Sequence, residues 1–148
     1  MAKEPIKLKL GLDLEDYKYD ARDCVGCAGC KWVDFIYMPG WDFSWKCPPW
    51  QKYQFDAYGA CGRLKITNDL LGERLDYSEP TLPEVIYACT LCGACDVGCK
   101  RNLDLEPLMT LESLRVRAVK EGIGPMPQHK AITDNILKSR NRYGKPQA

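Results

Sequence analysis

Nine cysteines stand out among 148 residues, and seven of them fall into two short runs. The first is Cys24-Val-Gly-Cys27-Ala-Gly-Cys30 and the second is Cys89-Thr-Leu-Cys92-Gly-Ala-Cys95-Asp-Val-Gly-Cys99. Both contain Cys-x-x-Cys-x-x-Cys, an internal repeat in which glycine recurs beside the sulfurs. Thiolates spaced this closely are suited to wrapping a metal centre. A four-iron, four-sulfide cube needs four thiolates converging on its corners, and such a loop supplies three of them. Small residues between the cysteines let backbone amides approach the inorganic sulfides, and here those positions hold Gly26, Ala28, Gly29, Gly93 and Ala94.

The second run has the spacing of the bacterial ferredoxin motif, whose fourth cysteine serves the other cluster when two are present. By that rule Cys24, Cys27 and Cys30 hold one cube with Cys99, while Cys89, Cys92 and Cys95 hold a second that still needs a ligand. The candidates are Cys47 and Cys61. Cys47 is favoured because Pro48 follows it, as proline follows the last cysteine of a ferredoxin run, with the usual short gap enlarged into a long loop. Cys61 is then the ninth cysteine, read as a buried thiol sharing a helix face with Phe55 and Tyr58. Zinc fits less well, because its sites pair two Cys-x-x-Cys knuckles and triple knuckles leave surplus thiols. A disulfide scaffold conflicts with the odd count. A Rieske centre needs two histidines, and His129 is the single one, read as a solvent-facing helix residue. An enzyme with an open iron site would keep three cysteines on one cube, but no substrate or cofactor fingerprint accompanies the runs.

The length excludes a large multidomain enzyme. Lys plus Arg (21) nearly balances Asp plus Glu (20), so no basic field points to nucleic acid or an anionic membrane. The start lacks the apolar core of a signal peptide and charges interrupt every apolar run, so a cytoplasmic protein with reduced thiols and no membrane span is expected. Lys7-Leu8-Lys9-Leu10 alternates, predicting an extended N-terminal arm over 1–23 with helical potential near Leu14 to Tyr19. Trp32 to Trp50 holds all four tryptophans (Trp32, Trp41, Trp45, Trp50) and three prolines, an irregular aromatic loop that either lids the clusters or docks a partner. A helix is predicted from Tyr53 to Leu71, weakened by Gly59 and Gly62 and stopped at Gly72. Another starts at Pro83 and runs into the second cysteine run. Asp104 is a candidate cap for a helix from Leu105 to Glu121 with Leu108, Leu111, Leu114 and Val119 as its apolar stripe, closed by Gly122. A last helix spans about Gln128 to Asn141 with Ile132, Ile136 and Leu137 on one face. The architecture is therefore mainly α, organised as an arm (1–23), a two-cluster domain (24–124) and a C-terminal helix and tail (125–148).

These residues resemble the two-cluster, helical ferredoxin modules of heterodisulfide reductase-like proteins, which are related to the iron–sulfur subunits of succinate dehydrogenase and fumarate reductase. The resemblance covers roughly Cys24 to Gly144. It rests on the paired motifs across a long helical spacer, on Cys89-Thr-Leu-Cys92-Gly-Ala-Cys95 entered from a helix, and on the leucine-rich helix with Leu114-Arg115. Two features depart from the pattern: the widened gap before Cys47, and Lys100 where proline would follow Cys99. The resemblance implies an α-helical ferredoxin carrying two [4Fe-4S] cubane clusters. Its implied role is to relay single electrons between a flavoprotein or ferredoxin donor and a reductase acceptor within a hetero-oligomer, with no substrate-converting residue of its own. Larger members continue into repeats with adjacent cysteines, and this sequence has no Cys-Cys pair. Its end, Tyr143 to Ala148, resembles a linker, so a split subunit or the N-terminal portion of a longer protein is expected. Lys100 and Arg101 beside Cys99 either stabilise a reduced cluster or form a solvated turn. The cations Lys138, Arg140 and Arg142 either end a helix in solvent or meet an acidic partner. The rival reading from another class is a zinc-stabilised interaction module without redox function.

Overall fold

Seven α-helices and two short 3-10 turns account for the regular structure of residues 13–32 and 45–145, the part described by the computed structural model. The alternating Lys7–Leu10 segment of the expected arm and Trp41 lie outside those residues. The helical potential read near Leu14 to Tyr19 is realised and carried to the end of the stretch read as an arm, as a 3-10 turn at Leu14–Tyr17 running into α1, Lys18–Asp23. The physical reason is burial. Leu14, Tyr17 and Ala21 are each at most 1% exposed, and this spacing of three and four residues puts them on one stripe that packs toward the core.

The helix predicted from Tyr53 to Leu71 begins only at Ala60, and a short helix lies instead at the end of the stretch read as an irregular loop. α2, Pro48–Tyr53, ends where Gln54 turns left-handed at φ 50°. A 3-10 turn follows at Asp56–Tyr58, and α3, Ala60–Leu71, begins only after the extended Gly59. Gly62 is needed there for space, since a Cβ would stand 2.8 Å from the Ala57 Cα in the turn lying against α3. The stop at Gly72 is as predicted.

α4, Leu82–Tyr87, carries Pro83 in its first turn as expected. α5, Ala94–Asn102, begins inside the second cysteine run. α6, Pro107–Lys120, starts two residues later than predicted and is not capped by Asp104. Asp104 is left-handed at φ 55° and pairs with Lys100 at 3.2 Å. Instead the buried Asp20 of α1 accepts a 2.8 Å hydrogen bond from the Glu106 amide and Asp96 of α5 one of 2.8 Å from the Leu108 amide, so the start of α6 is held by carboxylates of other helices.

The core lies where α1, α3 and α6 meet, with Leu64, Leu111, Leu114 and Ala118 buried between them. Val119, predicted on that stripe, is exposed. α7, Pro127–Ser139, has no buried residue, and its Ile132, Ile136 and Leu137 face solvent. The single isolated β-bridge among the described residues joins Trp32 to Trp45. Trp45 also packs against Trp50, ring centroids 4.5 Å apart, so the ends of the aromatic loop are held. No helix among the described residues is long and apolar enough to cross a membrane.

Candidate metal centres

All nine cysteines lie within the described residues as free thiols, and they line two separate cavities. Cys24, Cys27, Cys30, Cys61 and Cys99 line the first, with Ala28, Leu64, Leu103 and Pro107. Cys47, Cys89, Cys92 and Cys95 line the second, with an apolar shell including Pro49, Leu108 and Leu111 and with Arg63. Cys47 thus stands with the three cysteines that the spacing rule left one ligand short. Cys61, the other candidate, stands in the opposite cavity. It is buried, but it does not share a packed face with Phe55, which is 64% exposed.

Three helices straddle both cavities. On α5, Cys95 and Cys99 are one turn apart, which moves the sulfur about 6 Å along the axis and from the second cavity to the first. On α3, Ala60 and Arg63 line the second cavity, while the adjacent stripe, Cys61 and Leu64, lines the first. On α6, Pro107 lines one and Leu108 with Leu111 the other. A shift in any of these helices therefore changes both sites.

The two cysteine loops repeat the same backbone device. In the first, Gly26 (φ 73°) and Ala28 (φ 65°) are left-handed on either side of Cys27; in the second, Leu91 (φ 51°) and Gly93 (φ 75°) flank Cys92 the same way. Alternating hand along a chain turns successive amide N–H groups to one side, making a concavity suited to an anionic group. Leu91 and Ala28 carry a Cβ in that region, which costs on the order of 1–2 kcal/mol each. Such strain persists where the surrounding structure requires it. The middle cysteines, Cys27 and Cys92, are the two exposed ones.

Amides also reach the sulfurs directly. The Cys61 N–H donates to Cys30 Sγ at 3.3 Å. Burial pushes the Cys24, Cys47 and Cys99 thiols up, and hydrogen bonds from the Gly26, Trp50 and Leu105 amides oppose that push. Burial pushes the Cys95 thiol up to about 12. Cys30 is the exception: the hydrogen bond from Cys61 holds its thiol below the ordinary range, and the same bond raises Cys61. Cys61 therefore meets the Cys30 sulfur through its backbone N–H. Metal binding would replace the protons on the ligating thiols, so loading releases acid.

The donor set fits an iron–sulfur cube. Both linings offer cysteine sulfur without a histidine or carboxylate, inside apolar walls and beside inward-turned amides. Among the described residues, no three His, Cys, Asp or Glu side chains converge as they would around one metal ion. The sulfurs surround voids instead.

Among the charged residues beside the cysteines, the sequence leaves Lys100 open between two readings. Lys100, beside Cys99, is exposed and paired with Asp104 and Glu106, so its charge is already met. Lys31 is buried and held by Asp56 at 2.5 Å. The residue missed was Arg63, 1% exposed and lining the second cavity. Its signal was positional: Ala60, Arg63, Thr67 and Leu70 form one buried helical stripe with a guanidinium in it. Arg115 reaches the same region, donating to the carbonyls of Cys89 and Tyr87.

The helical scaffold and its two sulfur-lined cavities define a protein that carries two metal–sulfur centres. A family profile for the 4Fe-4S dicluster domain matches residues 19–103, more than half of the chain, and the chain belongs to that family. The cofactors that go with this membership are two [4Fe-4S] clusters, and the role is electron transfer. The chain is similar to a component of the dihydromethanophenazine:CoB–CoM heterodisulfide reductase of Methanosarcina barkeri, 26% identical over 129 residues, covering 84% of this chain and 30% of that protein. The corresponding protein of Methanosarcina acetivorans is 27% identical over 125 residues, covering 81% and 29%. A component of the fumarate reductase (CoM/CoB) of Methanothermobacter marburgensis is 41% identical over 49 residues, 33% of this chain and 10% of that one. The chain thus spans under a third of the length of these relatives. No solved structure matches it significantly.

Proposed function

We propose that the chain relays single electrons through two [4Fe-4S] clusters, one on Cys24, Cys27, Cys30 and Cys99 and the other on Cys47, Cys89, Cys92 and Cys95. The observation that carries this is the sorting of the nine cysteines into two cavities, four with Cys47 and five with Cys99. Each bound cluster supplies one-electron chemistry with little change of shape. The chain's own residues supply the rest. The paired left-handed loops hold the sulfurs, the Gly26, Trp50, Leu105 and Cys61 amides favour their thiolate form, and the apolar walls exclude water. Cys61 completes the first cavity as a donor to Cys30.

The donor is a flavin or ferredoxin type and the acceptor a partner reductase of the heterodisulfide reductase kind, in a hetero-oligomer. The support is the similarity to a component of that reductase across 84% of this chain. The exposed Cys27 and Cys92 mark the edges at which electrons enter and leave. The test is iron, acid-labile sulfide and zinc per chain on protein purified without oxygen, with visible spectra before and after dithionite. About eight iron and eight sulfide, with bleaching on reduction, is the expected result for two cubes. Stoichiometric zinc in a colourless protein would overturn it in favour of an interaction module.

A further inference from the structure

The two cavities differ in one electrostatic respect. Arg63 lies at the second with 1% of its surface exposed. Its Nε donates to the Val85 carbonyl at 2.7 Å and its Nη1 to the Tyr58 carbonyl at 2.6 Å. Its Nη2 is buried and has no hydrogen-bond partner among the described residues. The same Tyr58 carbonyl lies 3.8 Å from Cys47 Sγ, so the guanidinium and Cys47 share one anchoring atom. Arg115 repeats the arrangement: its Nη2 holds the Cys89 carbonyl, and its Nε is also buried without a partner.

A buried cation with an N–H left over is costly, because desolvation is uncompensated and one donor is unmade. Arg63 in the wall of the second cavity, with the half-buried Arg115 behind it, points to an anion that belongs there. No carboxylate pairs with either guanidinium among the described residues. Asp96 is an opposing charge on that side, 4.0 Å from Cys95 Sγ, with its oxygen already engaged by the Leu108 amide at 2.8 Å. Beside the first cavity, next to Cys30 in the chain, Lys31 is buried but outside the lining, and Asp56 neutralises it. Lys46 lies near sulfurs of both groups and does not distinguish them.

We infer that Arg63, with Arg115 behind it, is a positioning and tuning residue of the Cys47–Cys89–Cys92–Cys95 cluster, favouring its reduced state and making it the electron-accepting member of the pair. This rests on the two-cluster reading above. Arg63 acts on a step in which one electron arrives from a flavin- or ferredoxin-type donor, or from dithionite in the assay, with no bond broken and no proton moved. The cluster and its thiolates gain one unit of negative charge, and a cation fixed in a low-dielectric wall opposes that charge more strongly than solvent-screened lysines can. Arg63 also ties Tyr58, Val85 and hence the approach to Cys89 into one frame, so its second effect is to keep Cys47 and Cys89 at the same cavity.

The test is a redox titration followed by electron paramagnetic resonance on the full chain carrying its clusters, comparing wild type with Arg63→Met, Arg63→Lys and Arg115→Met. The Cys47→Ser chain identifies which signal belongs to the second cavity. In Arg63→Met, that signal should become harder to reduce by at least tenfold in the reduced-to-oxidised ratio, about 59 mV for one electron. The other signal should stay in place. Arg63→Lys, which keeps charge but loses the fork, should fall between. Unmoved midpoints, equal shifts of both signals, or Arg63→Lys matching Arg63→Met would each overturn the inference. If Arg63→Met sheds iron, Arg115→Met decides: a downward shift of the same signal supports the inference and no shift overturns it. Failure of the wild-type chain to show two cluster signals would instead refute the two-cluster reading itself.

Discussion

Gly98→Ala separates local propensity from tertiary geometry, because the two predict opposite signs. Gly98 sits inside α5, where replacing glycine by alanine ordinarily stabilises a helix by about 1 kcal/mol. In the folded chain, however, an added Cβ would collide with the Gly29 carbonyl and stand 3.0 Å from its carbonyl carbon, and it would also meet Lys46 Nζ. The lysine can swing away; the Gly29 backbone lies between Cys27 and Cys30 and cannot move without them. Overpacking of this kind costs roughly 1–3 kcal/mol, so the net effect after the propensity gain is a loss of up to about 2 kcal/mol. With a guanidinium slope of about 2–6 kcal/mol per molar, the unfolding midpoint should fall by a few tenths of a molar. The displacement acts on the first cavity, so iron should fall from about eight toward four per chain. Iron content and the guanidinium dependence of the visible band measure both. Adding Lys46→Ala should not rescue the variant, because the obstructing atoms are backbone. A Gly98→Ala chain that keeps all its iron and unfolds at higher denaturant would show that the two cysteine loops do not touch as described.

Cys47→Ser should leave about four irons per chain and Cys61→Ser about eight, measured by metal analysis; a Cys61→Ser chain at half iron would make Cys61 a ligand. Leu114→Ala, at a site 1% exposed between α1, α3 and α6, should cost about 2–5 kcal/mol in denaturant unfolding followed by the visible band. Hydrogen bonding with Asp13 and then with Arg117 holds the Glu15 carboxyl down to about 2, from an ordinary 4.5. A carboxyl lowered on folding stabilises the fold above its unfolded value and loses that contribution only as pH falls toward 2. Since Glu15 is more than half exposed, Glu15→Gln should cost no more than about 1 kcal/mol, and the cost should stay constant from pH 8 to 5.5. A gap that narrows across that range would refute the assignment.

Much of the architecture was legible because it is local. Pro83 in the first turn of α4 follows from the backbone limits of proline alone, and the helix that ends before Gly72 was marked by the glycine, although the left-handed residue there is Glu73. The errors came where a distant residue intervened. Asp20 and Asp96 took the place of Asp104 at the start of α6, and the packing of Leu14, Tyr17 and Ala21 extended the helical potential read near Leu14 to Tyr19 as far as Asp23. The Ile132, Ile136 and Leu137 face was read correctly as a helical stripe, yet it lies in solvent, because periodicity reports a face and not what covers it.

The candidate site divides the same way. Three thiols within a seven-residue loop have little choice but to surround one body, so the two runs and their cluster chemistry could be read from spacing. Spacing also offered both Cys47 and Cys61 to the second centre. Only the folded chain separates them, because the break at Gly59 and the rotation of α3 turn Cys61 toward Cys30 while α2 brings Cys47 beside Cys89, Cys92 and Cys95. Arg63 depends on tertiary structure most of all. Its charge is plain in the sequence, but that the charge is buried, partly unpaired and in the lining of one cavity depends on carbonyls at Tyr58 and Val85 that meet only when the helices pack.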